Sequence, residues 1–176
     1  MTRQPIDIKK FVARPYGIWE VKWFVLSSGD FSSGQYNAMV VSWGSLGQMW
    51  DRPFVQVVVR PHRFTYQFME KYPTFTLCTF PVKYQRALNL LGSKSGRDGD
   101  KIAKSGLSPA AATCVGAPVY EQAELAIECR KIYWQDFDPS HFLEPEIERK
   151  YPEKDYHRIY FGEILAVQGI ENYLAV

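Results

Sequence analysis

The chain has 176 residues, enough for one domain with a sizeable core, and residues 1–176 are read as that single domain. A formal charge of +2 argues against nucleic acid or an anionic membrane surface as partner, and no apolar run reaches the roughly 18 residues that a membrane-crossing helix needs. Aromatic residues make up 15% of the chain, and the opening Met-Thr-Arg-Gln-Pro has no apolar signal core behind it, which points to the cytoplasm.

Residues 19–27 read as a strand, because Trp19, Val21 and Trp23 alternate with Glu20 and Lys22. The polar stretch 28–35 reads as a connecting turn, and residues 37–43 as a second strand. Residues 54–60 are nearly all apolar and close on Arg60, the pattern of a central strand. A short helix over 64–72 places Phe64, Phe68 and Tyr72 on one stripe, and 75–80 adds a short strand. Tyr84, Ala87, Leu88 and Leu91 then fall at helical spacing, with Gly92 as the C-terminal stop. Residues 98–105 suit a helix ending at Gly106, and 109–118 are small and irregular. Leu125, Ile127 and Cys129 are interleaved with Glu124, Glu128 and Arg130, and 157–168 reads as a last strand.

Strands thus precede and follow a helical insert instead of alternating with helices. The expected class is mainly β: a closed antiparallel barrel with helices packed outside. No Gly-x-Gly-x-x-Gly follows a strand and no Walker-type loop is present, which argues against the usual nucleotide folds.

Two loops carry the polar chemistry. Gly92-Ser93-Lys94-Ser95-Gly96-Arg97-Asp98 combines tight turns, hydroxyls and positive charge, and sits between two helical segments. It reads either as a capped connector, with Ser95 as N-cap, or as an anion site at a helix start. Arg60-Pro61-His62-Arg63-Phe64-Thr65 follows the most apolar strand, and is either a solvated turn or a forked donor set for a phosphate. Asn37 to Trp43, followed by Gly44, is either a core strand or a strand against which a flat heterocycle lies. Cys78 and Cys129 lie in apolar runs and read as buried, inert thiols, while Cys114 falls in a small-residue segment. Three widely separated histidines leave no metal site expected, and Glu144, Glu146 and Glu148 read as a solvated acidic run.

As a set, several motifs resemble the flavin reductase-like family, and within it the flavoredoxin type. They are Asn37-Ala38-Met39-Val40-Val41-Ser42-Trp43-Gly44, Arg60-Pro61-His62-Arg63-Phe64-Thr65-Tyr66, Phe75-Thr76-Leu77-Cys78, the Gly92–Asp98 run, Asp155-Tyr156-His157-Arg158 and Gly162-Glu163-Ile164. The resemblance implies an FMN-binding split β-barrel, usually a homodimer with flavin sites near the subunit interface. It implies that Asn37, Ala38, Met39, Val40, Val41, Ser42 and Trp43 line the isoalloxazine. It further implies that Arg60, Arg63, Thr65, Ser93, Lys94 and Ser95 gather around the ribityl phosphate. Cys78 is the cysteine nearest these motifs, and His157 is the one catalytic candidate, able to reach flavin or substrate.

The function implied is hydride acceptance from NADH or NADPH by FMN, with FAD or riboflavin as alternative flavins. Onward electron transfer would go to free flavin, a protein acceptor or a small oxidant. The alternatives are a flavin-bound carrier without pyridine-nucleotide activity, a β-barrel module for single-stranded nucleic acid, and a split-barrel oxidase acting on a phosphorylated amine.

Overall fold

The computed structural model describes residues 2–175. In chain order the strands and helices are β1 (Gln4–Ile6), β2 (Phe24–Asp30), β3 (Gln35–Val41), β4 (Gly44–Met49), β5 (Arg52–Val59), α1 (Phe64–Lys71), β6 (Thr74–Thr79), α2 (Gln85–Ser93), α3 (Lys101–Ser105), β7 (Pro109–Ala110), β8 (Val119–Tyr120), β9 (Leu125–Asp136), α4 (Pro145–Glu148) and β10 (Arg158–Gly169). The main sheet runs β3-β2-β6-β9-β10-β5-β4, every neighbouring pair antiparallel, and β1 adds to the far half of β10. The sheet curls until β3, at one end, approaches β5 near the other. The fold is therefore mainly antiparallel sheet with helices outside, as the order of apolar segments predicts.

Alternation along the strands divides the apolar residues between two cores. Phe24, Leu26, Met39, Val57, Phe75 and Ile127 pack inside the curl. Val25, Ala38, Cys78, Leu88, Leu91 and Ala126 pack between the sheet and the helices. Burying each Val, Leu, Ile or Phe contributes about 1.5–3 kcal/mol, which fixes the register because a one-residue slip would exchange the two faces.

Residues 19–27 do not form one strand. Ile18–Lys22 wind into a π-helical turn that buries Ile18 and Trp19 and leaves Val21 69% exposed, so the alternation is not a sheet pattern there. Trp23 then takes φ 54°, and β2 starts only at Phe24. The turn expected over 28–35 shrinks to 31–34, because Ser28 is buried inside β2 with its hydroxyl 3.2 Å from the Phe68 carbonyl oxygen and 3.0 Å from that of Thr74. Helix α2 continues through Gly92 to Ser93, so Gly92 is not its stop. Gly106 does end α3, in the left-handed conformation with φ 74°. The helix expected over 98–105 is shorter: a 3₁₀ turn over Gly96–Asp98 precedes it, and α3 holds only five residues.

Candidate functional site

The split between β3 and the β5/β10 side holds two adjoining cavities. The first, about 180 Å³, is walled by residues 39–43 at the end of β3, by Val58 and Arg60 at the end of β5, and by His157 just before β10. Strand β3 terminates the sheet, so one edge pairs with β2 and the other has no strand partner among the described residues. The second cavity, about 190 Å³, is polar and basic, bounded by the loop into α1 and by the Gly92–Asp98 run. Met39 and Arg63 line both.

The basic cavity lies against the first turn of α1, where free backbone N–H groups and the positive dipole end are found. Arg63, Thr65, Ser93, Lys94 and Ser95 all line it. Thr65 and Asn37 are buried, and the Asn37 amide donates to the Thr65 hydroxyl oxygen at 2.8 Å. That leaves the Thr65 hydroxyl hydrogen free to donate to a guest. The Arg63 guanidinium is exposed and donates to the Gly92 carbonyl at 3.3 Å, which ties the two loops together. A Cβ on Gly96 would sit 2.4 Å from Asn37 Oδ1 and 2.8 Å from Phe64 Cδ1, so a glycine is what lets the loop close down on this wall. Ser95 does cap, accepting from the Arg97 N–H at 3.2 Å, and at the same time it lines the cavity.

Two cations absent from the expected set join this cavity. Arg97 donates to the His62 carbonyl at 3.0 Å and lies over the Phe64 ring. Lys101 is buried, and its ammonium donates to the carbonyls of Leu91 and Lys94 at 2.8 and 3.0 Å, holding the end of α2. Burial pushes the Lys101 ammonium down to about 8, and the Arg63 charge adds to the shift.

Three of the expected site residues lie apart from the groups they were expected to join. Arg60 does not line the cavity that holds Arg63, Thr65, Ser93, Lys94 and Ser95. It lines the other cavity, with Nη1 3.1 Å from each Asp155 oxygen and Nη2 bonded to the Lys150 carbonyl at 2.8 Å. Asn37 lines the basic cavity and not the first one. The Ala38 side chain packs under the helices and lines neither cavity, because it points from the opposite face of β3. Cys78 packs in that same helix-side core, where burial pushes its thiol up to about 12. His62 also reaches Asp155, at 2.7 Å, so one carboxylate braces both the Arg60 and the His62 side chains. Burial works to raise the Asp155 carboxyl, but hydrogen bonds from Arg60 and His62 hold it below the usual range.

His157 is buried, 2.8 Å from the Tyr151 hydroxyl, with its ring 5.3 Å from that of Trp43. Burial, and then the Arg60 charge, push its imidazole down to about 4. At neutral pH it is an uncharged hydrogen-bonding wall, not a charged acid. An unfolded chain binds a proton at His157 near pH 6.5 and the folded chain only near 4, so the unfolded state holds more protons between those values. Stability is expected to fall as pH drops through that window. His157→Gln should flatten the fall in urea midpoints measured across it.

Among the described residues, no three His, Cys, Asp or Glu side chains come together to hold a metal, and no helix is long and apolar enough to cross a membrane.

Residues 22–175 match the family model described as flavin reductase like domain. No curated protein matches the chain. Among solved structures, an FMN-binding domain of a flavin reductases-like enzyme from Shewanella baltica shares 17% identity at TM-score 0.70, covering 96% of this chain and 77% of that one. Flavoredoxin of Desulfovibrio vulgaris shares 24% identity at TM-score 0.66, covering 92% and 73%. An NADH:FAD oxidoreductase from Streptomyces globisporus shares 15% identity at TM-score 0.64, covering 86% and 76%.

Proposed function

The chain belongs to the flavin reductase like domain family, and from that membership we propose that it binds FMN, accepts hydride from NADH or NADPH, and passes the electrons to free flavin, a protein acceptor or a small oxidant. The observation that carries this reading is that a basic cavity adjoins a slot along an unpaired strand edge, Met39 and Arg63 lining both. The donor set fits a phosphate: Arg63, Lys94 and Arg97 supply charge, and Thr65, Ser93 and Ser95 supply hydroxyls. The slot fits a flat ring, whose hydrogen-bonding rim would meet β3 backbone while Trp43 and Met39 offer polarisable surface. When bound, FMN supplies the redox chemistry; the protein binds and orients it. Arg63 and Lys94 anchor the charged tail, Asn37 sets the direction of the Thr65 hydroxyl, and His157 stays neutral beside the ring slot. A basic tail cavity favours phosphorylated flavins over riboflavin. The chain pairs as a homodimer in this reading, supported by an aromatic cluster of exposed Trp50 and Tyr133 with Phe161 on one face of the sheet, and sedimentation should give twice the mass of the chain.

The test is the absorption spectrum of purified protein with and without added FMN, followed by anaerobic mixing with NADH and with NADPH. Flavin bands that bleach on mixing support the proposal. Bands that persist assign a carrier without pyridine-nucleotide activity. A protein that stays colourless with FMN overturns the reading.

Lys101 adds a pH signature. A phosphate dianion beside its ammonium favours the charged form, so binding raises a value that burial had lowered to about 8. FMN affinity is expected to fall as pH rises through that value. Calorimetry near pH 9, about one unit above it, should show proton uptake on binding, and Lys101→Met should abolish the uptake.

A further inference from the structure

Beyond Ser42 and Trp43, which it shares with the ring slot, a cleft of about 660 Å³ opens toward the π-helical segment. Its size lies in the range of roughly 300–1,000 Å³ usual for small-molecule sites. Four aromatic side chains line it: Tyr16, 84% exposed, Trp43, 47% exposed, Trp23, and Trp19, whose ring is buried. Gly44 exposes the Trp19 ring at the floor, since a Cβ there would lie 2.5 Å from Trp19 Cη2. Trp23 is held at φ 54°, a conformation unusual for a bulky residue, directly after the π turn. Glu20 is the one charged side chain among the described lining residues. Arg60, in the adjoining slot, is already committed to Asp155.

We propose that this cleft is a second binding site, for a planar aromatic molecule that is neutral or cationic and carries no phosphate. Electron-rich indole and phenol faces attract a cationic ring, and Glu20 adds an attractive charge. An anionic ring meets Glu20 with no compensating cation in the lining. The cleft thus differs in charge preference from the basic cavity that takes the cofactor's tail. Its role as the seat of a reaction partner rests on the flavin reading above; its ligand preference does not.

Three probes of one ring size test it: 1-methylnicotinamide as cation, nicotinamide as neutral ring and nicotinate as anion. The five indole N–H resonances, assigned by single Trp→Phe replacements, report where each binds. Expected are saturable shifts at Trp19, Trp23 and Trp43, with Trp50 and Trp134 unmoved, and affinity in the order cation, neutral, anion. Glu20→Lys should reverse the order of cation and anion, and Glu20→Gln should narrow the cation's lead over the neutral ring without abolishing it, because the aromatic faces remain. Cation–ring attraction at an exposed site is about 0.5–1 kcal/mol, so the cation should bind about two- to fivefold tighter than the neutral ring. Equal affinity for all three probes, shifts spread equally to Trp50 and Trp134, or no shift within the probes' solubility would overturn the proposal. An FMN titration of the same samples separates the outcomes: FMN that binds while the cleft stays silent sinks this inference alone, and rings that bind while FMN does not sink the flavin reading alone.

Discussion

Arg63→Ala is expected to weaken FMN binding about tenfold to a hundredfold, the cost of one charge-assisted hydrogen bond at roughly 1.5–3 kcal/mol. Lys94→Ala should fall at the lower end of that range, since a flexible ammonium is a point charge and not a fork. Folding should barely change in either, because both side chains are exposed and only Arg63 makes an internal bond, to the Gly92 carbonyl at 3.3 Å. Fluorescence titration reads the affinity and urea unfolding reads the stability. FMN affinity unchanged in both variants would remove the phosphate assignment. A loss of stability as large as the loss of affinity would instead make Arg63 a loop tie. The double variant is expected to lose less than the sum of the two, because both cations act on one small anion.

Gly162→Ala is expected to destabilise the fold by about 3 kcal/mol, toward the upper end of overpacking penalties. Gly162 sits in β10 at a register shift against β9. A methyl group there would come 2.5 Å from Phe75 Cζ and 2.9 Å from Cys129 Cβ, both on fully buried residues. The aromatic ring has nowhere to turn in a close-packed interior, so β6 or β9 must shift. Gly92→Ala makes the contrasting case. Gly92 lies inside α2, and its added Cβ would meet only Val40, at ordinary contact distance of 3.5 Å. That variant should gain about 0.5–1 kcal/mol from helix propensity. Unfolding curves that move both variants in the same direction would contradict these assignments.

Sequence periodicity reads well wherever burial alone sets the pattern. β3, β5, β6 and β10 were legible from their apolar runs, and α1 and α2 from helical spacing. β4 was not, because its residues are mostly polar or glycine and its outer half is exposed. Its hairpin to β5 turns on Trp50 and Asp51, at φ 55° and 56°, where the usual glycine or asparagine signal is missing. The site divides along the same line. Arg63, Lys94 and Ser95 announce themselves through short loops whose glycines and hydroxyls serve only local geometry or a guest. Lys101 reads as a surface lysine of a polar stretch, and only the folding of α3 onto the end of α2 buries it. Arg60 reads as one of a forked donor set, and its pairing with Asp155, distant by 95 positions in sequence, shows only in the fold. Pairings across such separations leave no periodic trace.

The unpartnered margin of β3 has a further consequence. A terminal strand with open amides and carbonyls is a template on which another chain can grow. A planar guest seated there would do what an additional strand does elsewhere, capping the row. Protein stripped of its guest should therefore self-associate more readily than loaded protein, and the cofactor would act as a guard against aggregation as well as a reagent.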